Sequence, residues 1–388
     1  MRQLIIISVV LFAMTGCLKK NTKMQNKEHV KALASLPIGN NDSVKGISAP
    51  FAAYMNNQVF VAGGCNFPAA PASKGGVKEY YKAVYRYDAD QNTWLHVGEL
   101  PAGLAYGASV VYGSEWICLG GNNNEGSSSL VWSVSYNGQL KVDSLPALPA
   151  TMDNFAATLN GHKIYVAGGN IDGHVQNKIY MLDLNERKEW QELTPFPGAG
   201  RVQPVLLNGK DETVILLGGF QAGNMEDAPV LSPDVYAFDP ESGTWAIETQ
   251  LPLSSAGNTP LAMVGGFGVN LSDSLLVIGG GVNRNRFIHA LDAARQIDQA
   301  LKKQNQALAD SLSAEKAAYM THPVEWYQFN SDLYAYNFNT REWTLYGSYP
   351  AVARAGAAAV TDGHVLYVID GELKPGVRTD EVNRISLD

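Results

Sequence analysis

Five times in this chain an apolar run ends in a pair of glycines, and a sixth run ends in charge instead. The pairs are Gly63-Gly64, Gly120-Gly121, Gly168-Gly169, Gly218-Gly219 and Gly279-Gly280. The sixth run, Val365-Leu366-Tyr367-Val368-Ile369, leads into Asp370-Gly371-Glu372 and then Lys374-Pro375-Gly376-Val377-Arg378-Thr379-Asp380. Recurrence at this interval means that one supersecondary unit is copied along the chain, each copy too small to bury its own apolar face. The repeat sets the architecture, and the copy that departs from its siblings is where chemistry is to be sought.

Each unit has four parts in a fixed order. A small-residue run comes first, such as Ala105-Tyr106-Gly107-Ala108-Ser109-Val110-Val111. The β-rich run that ends in glycines follows. A Tyr-containing stretch closing on Asp or Asn is third: Tyr85-Arg86-Tyr87-Asp88, Tyr180-Met181-Leu182-Asp183, Tyr236-Ala237-Phe238-Asp239 and Tyr334-Ala335-Tyr336-Asn337. Last come a Trp (Trp94, Trp190, Trp245, Trp343) and a hydrophobic-Pro pair (Leu100-Pro101, Phe196-Pro197, Leu251-Pro252, Tyr349-Pro350). The second unit keeps Leu145-Pro146 but lacks the Trp. Four short strands in units of roughly 50 residues resemble kelch-type propeller blades. The expected fold is therefore all-β, a six-bladed kelch β-propeller.

The last unit supplies three strands before the sequence ends. The expected fourth is Leu33-Ala34-Ser35-Leu36-Pro37, an N-terminal strand that closes the last blade and removes two free edges. The propeller is thus expected over 33–388. From Phe287 to Tyr319 there is neither Gly nor Pro, and Leu291, Ala294, Ile297, Leu301, Leu308 and Leu312 recur at helical spacing. A helical insertion over about 287–320 is expected in blade five, either packed on the flank or lying partly over a pocket.

A formal charge of −8 over 388 residues argues against nucleic acid as a partner. It leaves room for a small anion held by one or two arginines. Residues 1–17 read as a secretory leader, with one positive charge, an apolar run and small residues before Cys17. Met14-Thr15-Gly16-Cys17 resembles a lipobox, with Cys17 as the lipidated residue; an ordinary cleaved signal peptide is the alternative. Residues 18–32 suit a flexible tether. The expected location is periplasmic, with a lipid anchor to the bacterial outer membrane as the only membrane contact. Cys65 and Cys118 read as buried free thiols, because equivalent positions in neighbouring repeats lie too far apart to bridge. No metal-ligand spacing is present.

In a ring of blades the strand-connecting loops converge at the ends of a central channel. Most carry small or amide residues, Asn283 and Asn285 among them. The charges that bear on chemistry are Glu372 and Arg378 in blade six, Arg284 and Arg286 in blade five, and Arg201 and Arg354 where innermost strands begin. Glu372 follows a strand directly, and Pro375-Gly376 turns the chain so that Arg378 can return beside it. Burial there raises a carboxylate pKa and makes it a better base near neutrality. A plain Glu–Arg ion pair bracing a loop is the other reading of these two residues.

The run Asp370-Gly371-Glu372-Leu373-Lys374-Pro375-Gly376-Val377-Arg378-Thr379-Asp380 resembles the signature Asn-Gly-Glu-x-Lys-Pro-Gly-x-Arg-Thr-Asp of the sialic acid mutarotases, or N-acetylneuraminate epimerases. Asp370 replaces the Asn. Gly280-Gly281-Val282-Asn283-x-Asn285-x-Phe287 and Ala105-Tyr106-Gly107-x-Ser109 are similar to the same family. The Glu-bearing blade lies mid-chain in better-known members and last here, so the sequence resembles a circularly permuted member. The resemblance implies an isomerase that interconverts the α and β anomers of N-acetylneuraminate by ring opening, without a cofactor. Glu372 would accept the proton and Arg378 would hold the substrate carboxylate. Asn283, Asn285, Tyr106, Arg201 and Arg354 are further candidates for contact with the sugar.

Three other readings fit less well. A sialidase would carry Ser-x-Asp-x-Gly-x-x-Trp boxes, and Asp239-Pro240-Glu241-Ser242-Gly243-Thr244-Trp245 has the wrong spacing. A propeller that only binds glycan or protein has no evident need for the blade-six loop. A copper oxidase would need a His/Tyr metal set that the sequence does not supply.

Overall fold

The computed structural model describes residues 29–38, 44–257 and 259–387. The leader, Cys17 and most of the expected tether lie outside these residues. The chain is nearly all-β, and its main strands form six antiparallel four-strand paths in chain order. The first path runs Ser48–Met55, Gln58–Asn66, Ala83–Asp88, Thr93–Glu99, and the next four repeat this order.

Burial explains the two kinds of apolar pattern in the sequence. Second strands are covered on both faces by neighbouring sheets, so Val59-Phe60-Val61-Ala62 and Ile164-Tyr165-Val166-Ala167 are buried throughout. Outer strands such as Thr244–Gln250 are largely solvent-facing and lack such runs. Six apolar clusters lie between consecutive sheets. One joins Val205 and Leu217 of the fourth sheet to Leu276 and Ile278 of the fifth. Another joins Val360 and Ile369 of the last sheet to Val59 and Val61 of the first.

The Trp landmark works at the rim. The indole nitrogens of Trp190, Trp245 and Trp343 donate to the carbonyls of Pro146, Thr194 and Gln250 on the preceding unit, at 3.1, 2.8 and 2.8 Å. In the second unit Leu140 stands where Trp94 stands in the first, opposite Tyr136 as Trp94 is opposite Tyr87.

The sixth sheet takes its outer strand from the start of the chain: Val30–Ala32 pairs with Val382–Ser386. This strand lies just before the segment expected to form it and falls within the expected tether. Leu33–Pro37 is instead the loop that follows, with Leu36 fully buried and Ala34 accepting from the Trp94 indole at 2.9 Å. The signature Leu-Pro thus follows the outer strand here, as Leu100-Pro101 does after Thr93–Glu99.

The glycine pairs mark backbone joints between sheets. In four of the pairs the second residue turns its N–H onto a carbonyl of the next sheet: Gly64 to Leu104, Gly121 to Met152, Gly169 to Arg201 and Gly281 to Arg354, all at 2.8–2.9 Å. Gly371 does the same to Ile47, which bonds the last sheet to the first. In the fifth sheet the paired residues are Gly280 and Gly281, one later than the doublet read from sequence, because both have positive φ and Gly279 does not. Gly169 has φ +84°, and a Cβ there would sit 2.5 Å from the Asp153 carbonyl oxygen. Gly169→Ala is therefore expected to cost about 2 kcal/mol or more, read as a lowered thermal unfolding midpoint.

A second row of backbone bonds runs alongside. Ala49, Tyr106, Asn154, Gln203, Gly265 and Gly356 begin the six innermost strands, all with φ between 52° and 64°. Ala49 donates to Gly356, Tyr106 to Ala49, Asn154 to Tyr106, Gln203 to Asn154, and Gly356 to Gly265, at 2.7–3.1 Å.

Between the second and third strands of the fifth sheet stand helices Arg284–Lys302 and Gln306–Ala318, followed by a short helix Val324–Tyr327. Asn283 caps the first helix, its side chain accepting from the Arg286 N–H. Cys65 and Cys118 are buried and unbridged.

Candidate active site

The departing copy keeps the joint and builds a hairpin on it. Asp370 takes the left-handed conformation (φ 51°) that glycine adopts at the equivalent position in other units, and it is fully buried. Asp, like Asn, tolerates that conformation better than most residues. One carboxyl oxygen, Oδ2, accepts the Ile47 N–H at 2.9 Å, and burial pushes the carboxyl pKa well above its usual value. An acid with a raised folded-state pKa stabilises at low pH. That stability is lost as pH climbs from the usual 3.8 through the folded value. Asp370→Asn should therefore raise stability at pH 8 by roughly 1 kcal/mol and flatten its pH dependence, measured as thermal unfolding at pH 5 and pH 8.

Beyond Gly371, Glu372–Lys374 pairs with Val377–Arg378 around the Pro375-Gly376 turn, with Glu372 opposite Arg378. The Glu372 N–H donates to Ala355 at 2.7 Å and its carbonyl accepts from Ala355 at 2.9 Å, so the first residue is tied to its own sheet. Arg378 Nη2 lies 2.6 Å from Glu372 Oε1, the two side chains being 1% and 22% exposed. Ser48 Oγ accepts from Arg378 Nε and Nη2 at 3.4 and 3.3 Å, and donates to Glu372 Oε1 at 3.5 Å. Phe67 stacks under the guanidinium, with its ring centroid 4.6 Å away. Arg378 Nη1 is buried without a hydrogen-bond partner among the described residues. Burial drives the Glu372 pKa upward, against the pull of Arg378, Lys78 and Ser48.

Glu372 opens onto a cavity of about 250 Å³ that it shares with Ser48, Tyr106, Gln203, Phe220, Phe287, Tyr319 and Phe329. The wall is drawn from several sheets and from the helical insertion. Phe287 and Tyr319 bring that insertion to the cavity, and Lys374 Nζ donates to the His322 carbonyl at 2.6 Å, fastening it to the hairpin. Of the two placements open from sequence, the insertion takes the one beside the pocket.

The other expected site residues divide. Tyr106 lines the cavity. Asn283 is occupied as a helix cap and, with Asn285, borders a different cavity of about 600 Å³. That larger space contains no Glu–Arg pair, and its Asp332 carboxylate already accepts from Ser255 and Ser348.

Arg201 and Arg354 are correctly placed at the starts of innermost strands, but they do not line the Glu372 cavity. They are 4% and 1% exposed and serve the backbone, with Arg354 Nη2 also paired to Glu381 Oε2 at 3.0 Å. Arg201 Nη1 donates to the Gly218 carbonyl at 3.2 Å, while Arg354 Nη1 donates to Asp370 and Glu381 carbonyls at 3.1 and 2.9 Å. Each guanidinium is thus spent on the joint of its own sheet. Ser48, Phe67, Lys78, Gln203 and Tyr319 escape sequence reasoning. Each is an ordinary residue in its own segment, and only the fold brings it to Glu372.

A half-buried carboxylate on the wall of a small cavity, ion-paired with a buried guanidinium, is an arrangement suited to acid–base chemistry on a small anion. The family model for N-acetylneuraminate epimerase matches residues 14–142 and 145–388, and the chain belongs to that family. Its name is that of an isomerase-type enzyme. The N-acetylneuraminate epimerase of Salmonella typhimurium is 29% identical over 265 residues, 67% of this chain and 63% of the relative. That of Haemophilus influenzae is 31% identical over 240 residues, 62% of this chain and 58% of the relative. The solved structure of YjhT is 26% identical with a TM-score of 0.51, covering 62% of this chain and 65% of that one. The matched stretch spans less than two thirds of these relatives.

Proposed function

We propose that this chain interconverts the anomers of N-acetylneuraminate, and that its six sheets are the blades of a closed kelch propeller. The 2.6 Å contact between Arg378 and Glu372 at the cavity wall carries the reading. The substrate is a cyclic hemiketal with a carboxylate on its anomeric carbon. Glu372 takes the proton of the anomeric hydroxyl, the bond from that carbon to the ring oxygen breaks, and the ring oxygen gains a proton. Reclosure on the other face of the ketone gives the other anomer.

Arg378 contributes twice. Its unpartnered Nη1 is the natural donor to the incoming carboxylate, within a fork that suits bidentate binding. As the substrate carboxylate draws on the guanidinium, it adds negative charge beside Glu372 and raises that group's basicity at the moment it is needed. Phe220, Phe287 and Phe329 shield the cavity on its other walls.

Two further features belong to this proposal. The chain is a circularly permuted member of its family: a collinear match that spans under two thirds of a relative is what a shifted start produces. It is also exported and lipid-anchored through Cys17. The test of function is proton NMR of N-acetylneuraminate at equilibrium. Acceleration of anomer exchange by the wild-type chain is the expected result. Binding without acceleration would mark a propeller that only holds its ligand.

A further inference from the structure

Ring opening needs a second proton, delivered to the ring oxygen as Glu372 removes the first. We propose that Tyr106, assisted by Lys78, is the group that gives it; the assignment rests on the anomer-exchange reading above. Four observations carry it.

Tyr106 borders the same cavity as Glu372, and the Glu372 charge is among the causes that raise the Tyr106 pKa. Ser48, which donates to Glu372, and Cys65 link the two groups. Second, the Tyr106 oxygen accepts from Lys78 Nζ at 3.2 Å and from Cys65 Sγ at 3.6 Å. A phenol has one proton and two lone pairs. Lys78, with no acceptor capacity, can only donate here, so the phenol is held as an acceptor toward the ammonium and its own proton is directed to another acceptor.

Third, Lys78 is built into the site. Its ammonium stands 4.7, 5.7 and 5.9 Å from the ring centroids of Tyr106, Phe67 and Tyr80. It has no carboxylate within ion-pair distance among the described residues. The segment carrying it is pinned because Glu79–Tyr80 pairs with Asn66 and Cys65.

Fourth, Tyr106 has φ 59°, an uncommon conformation for so bulky a residue, and its equivalents on the other sheets are Ala, Asn, Gln, Gly and Gly. Its N–H donates to Ala49 at 3.1 Å and its carbonyl accepts from Asn154 at 2.7 Å. The ring is thus presented from a fixed backbone, as a positioned proton donor requires.

The protons balance. Glu372 takes the anomeric proton, the electron pair of the breaking C–O bond goes to the ring oxygen, and Tyr106 protonates that oxygen. The open-chain keto acid then faces a protonated Glu372 and a phenolate held by the Lys78 ammonium. On reclosure the same hydroxyl returns its proton to Tyr106 as it attacks the ketone, and Glu372 protonates the new anomeric oxygen. Burial keeps the proton on Tyr106 in the resting site, because desolvation raises its pKa.

The test compares Tyr106→Phe, Lys78→Gln, the double variant and Glu372→Gln by NMR anomer exchange, with thermal unfolding run on each. Tyr106→Phe is expected to lower kcat by roughly 10²-fold with KM within about 3-fold, and Lys78→Gln to lower kcat by roughly 10-fold. The double variant should be no slower than Tyr106→Phe alone, since the two residues act as one unit. Additive losses, or a folded Tyr106→Phe with wild-type kcat, would overturn the assignment. Lys78→Gln lies on a partly exposed segment and keeps the question answerable if Tyr106→Phe fails to fold: an unchanged kcat there also counts against the pair. Loss in Glu372→Gln alone would sink only this assignment, whereas a wild-type chain that does not accelerate exchange would sink the function with it.

Discussion

Glu372→Gln is expected to slow anomer exchange by about 10²–10⁴-fold while leaving N-acetylneuraminate binding intact. The amide keeps the shape of the carboxyl and still accepts from Arg378, but it cannot take up a proton at neutral pH. Removing its charge also leaves the Arg378 guanidinium buried without a counter-ion, at a cost of roughly 1–3 kcal/mol. Bound sugar acid supplies the missing charge, so binding should hold or tighten even as turnover is lost. Calorimetric titration beside the exchange assay separates the two, and unchanged exchange would remove Glu372 from the mechanism. Wild-type activity should rise with pH as Glu372 ionises, with a midpoint above the group's usual 4.5 because burial raises its pKa. The stability sign is opposite: a raised carboxylate pKa favours the folded state at low pH, and that contribution is lost as pH rises through the folded value.

Arg378→Met should act on the other half of the site. KM for N-acetylneuraminate is expected to rise about 10²-fold or more, as follows from removing one partner of a buried charge pair. Glu372 then sits in the same desolvated place without its main opposing charge. Its pKa climbs further, and the acid limb of the kcat profile moves to higher pH. A KM within about 3-fold of wild type would show that the carboxylate is held elsewhere. Arg378→Lys should recover only part of the loss, because it restores a charge without the planar fork that meets Glu372, Ser48 and the substrate together.

The joints and the hairpin were legible because their geometry leaves a residue-level trace. The joint needs positive φ, and glycine pairs record it in five units; Asp370-Gly371 records it in the sixth. Glu372 and Arg378 were legible because a Pro-Gly turn sets their register. The ambiguity at Gly279-Gly280-Gly281 has a simple cause, since three consecutive glycines do not say which two take up the turn. Arg201 and Arg354 misled for a physical reason: a charge at the start of an innermost strand reads as functional, yet each bonds carbonyls of its own sheet, and Arg354 also pairs with the Glu381 carboxylate. Ser48, Lys78 and Tyr319 were not legible, because proximity to Glu372 is a property of how the sheets and the helical insertion pack together. The N-terminal strand was found by its Leu-Pro companion and placed too late, since that companion marks the loop after the strand.

The six left-handed positions that begin the innermost strands are linked in a row through main-chain atoms, with one side-chain bond, Gln203 to Asn154, added. Tyr106, Gln203 and Gly356 of that set already face the cavity wall. They behave as sockets in a fixed frame: the side chain plugged into each can change while the frame keeps its bonds. A fold built this way can be retooled for another ligand one socket at a time, and it separates the evolution of specificity from the upkeep of stability.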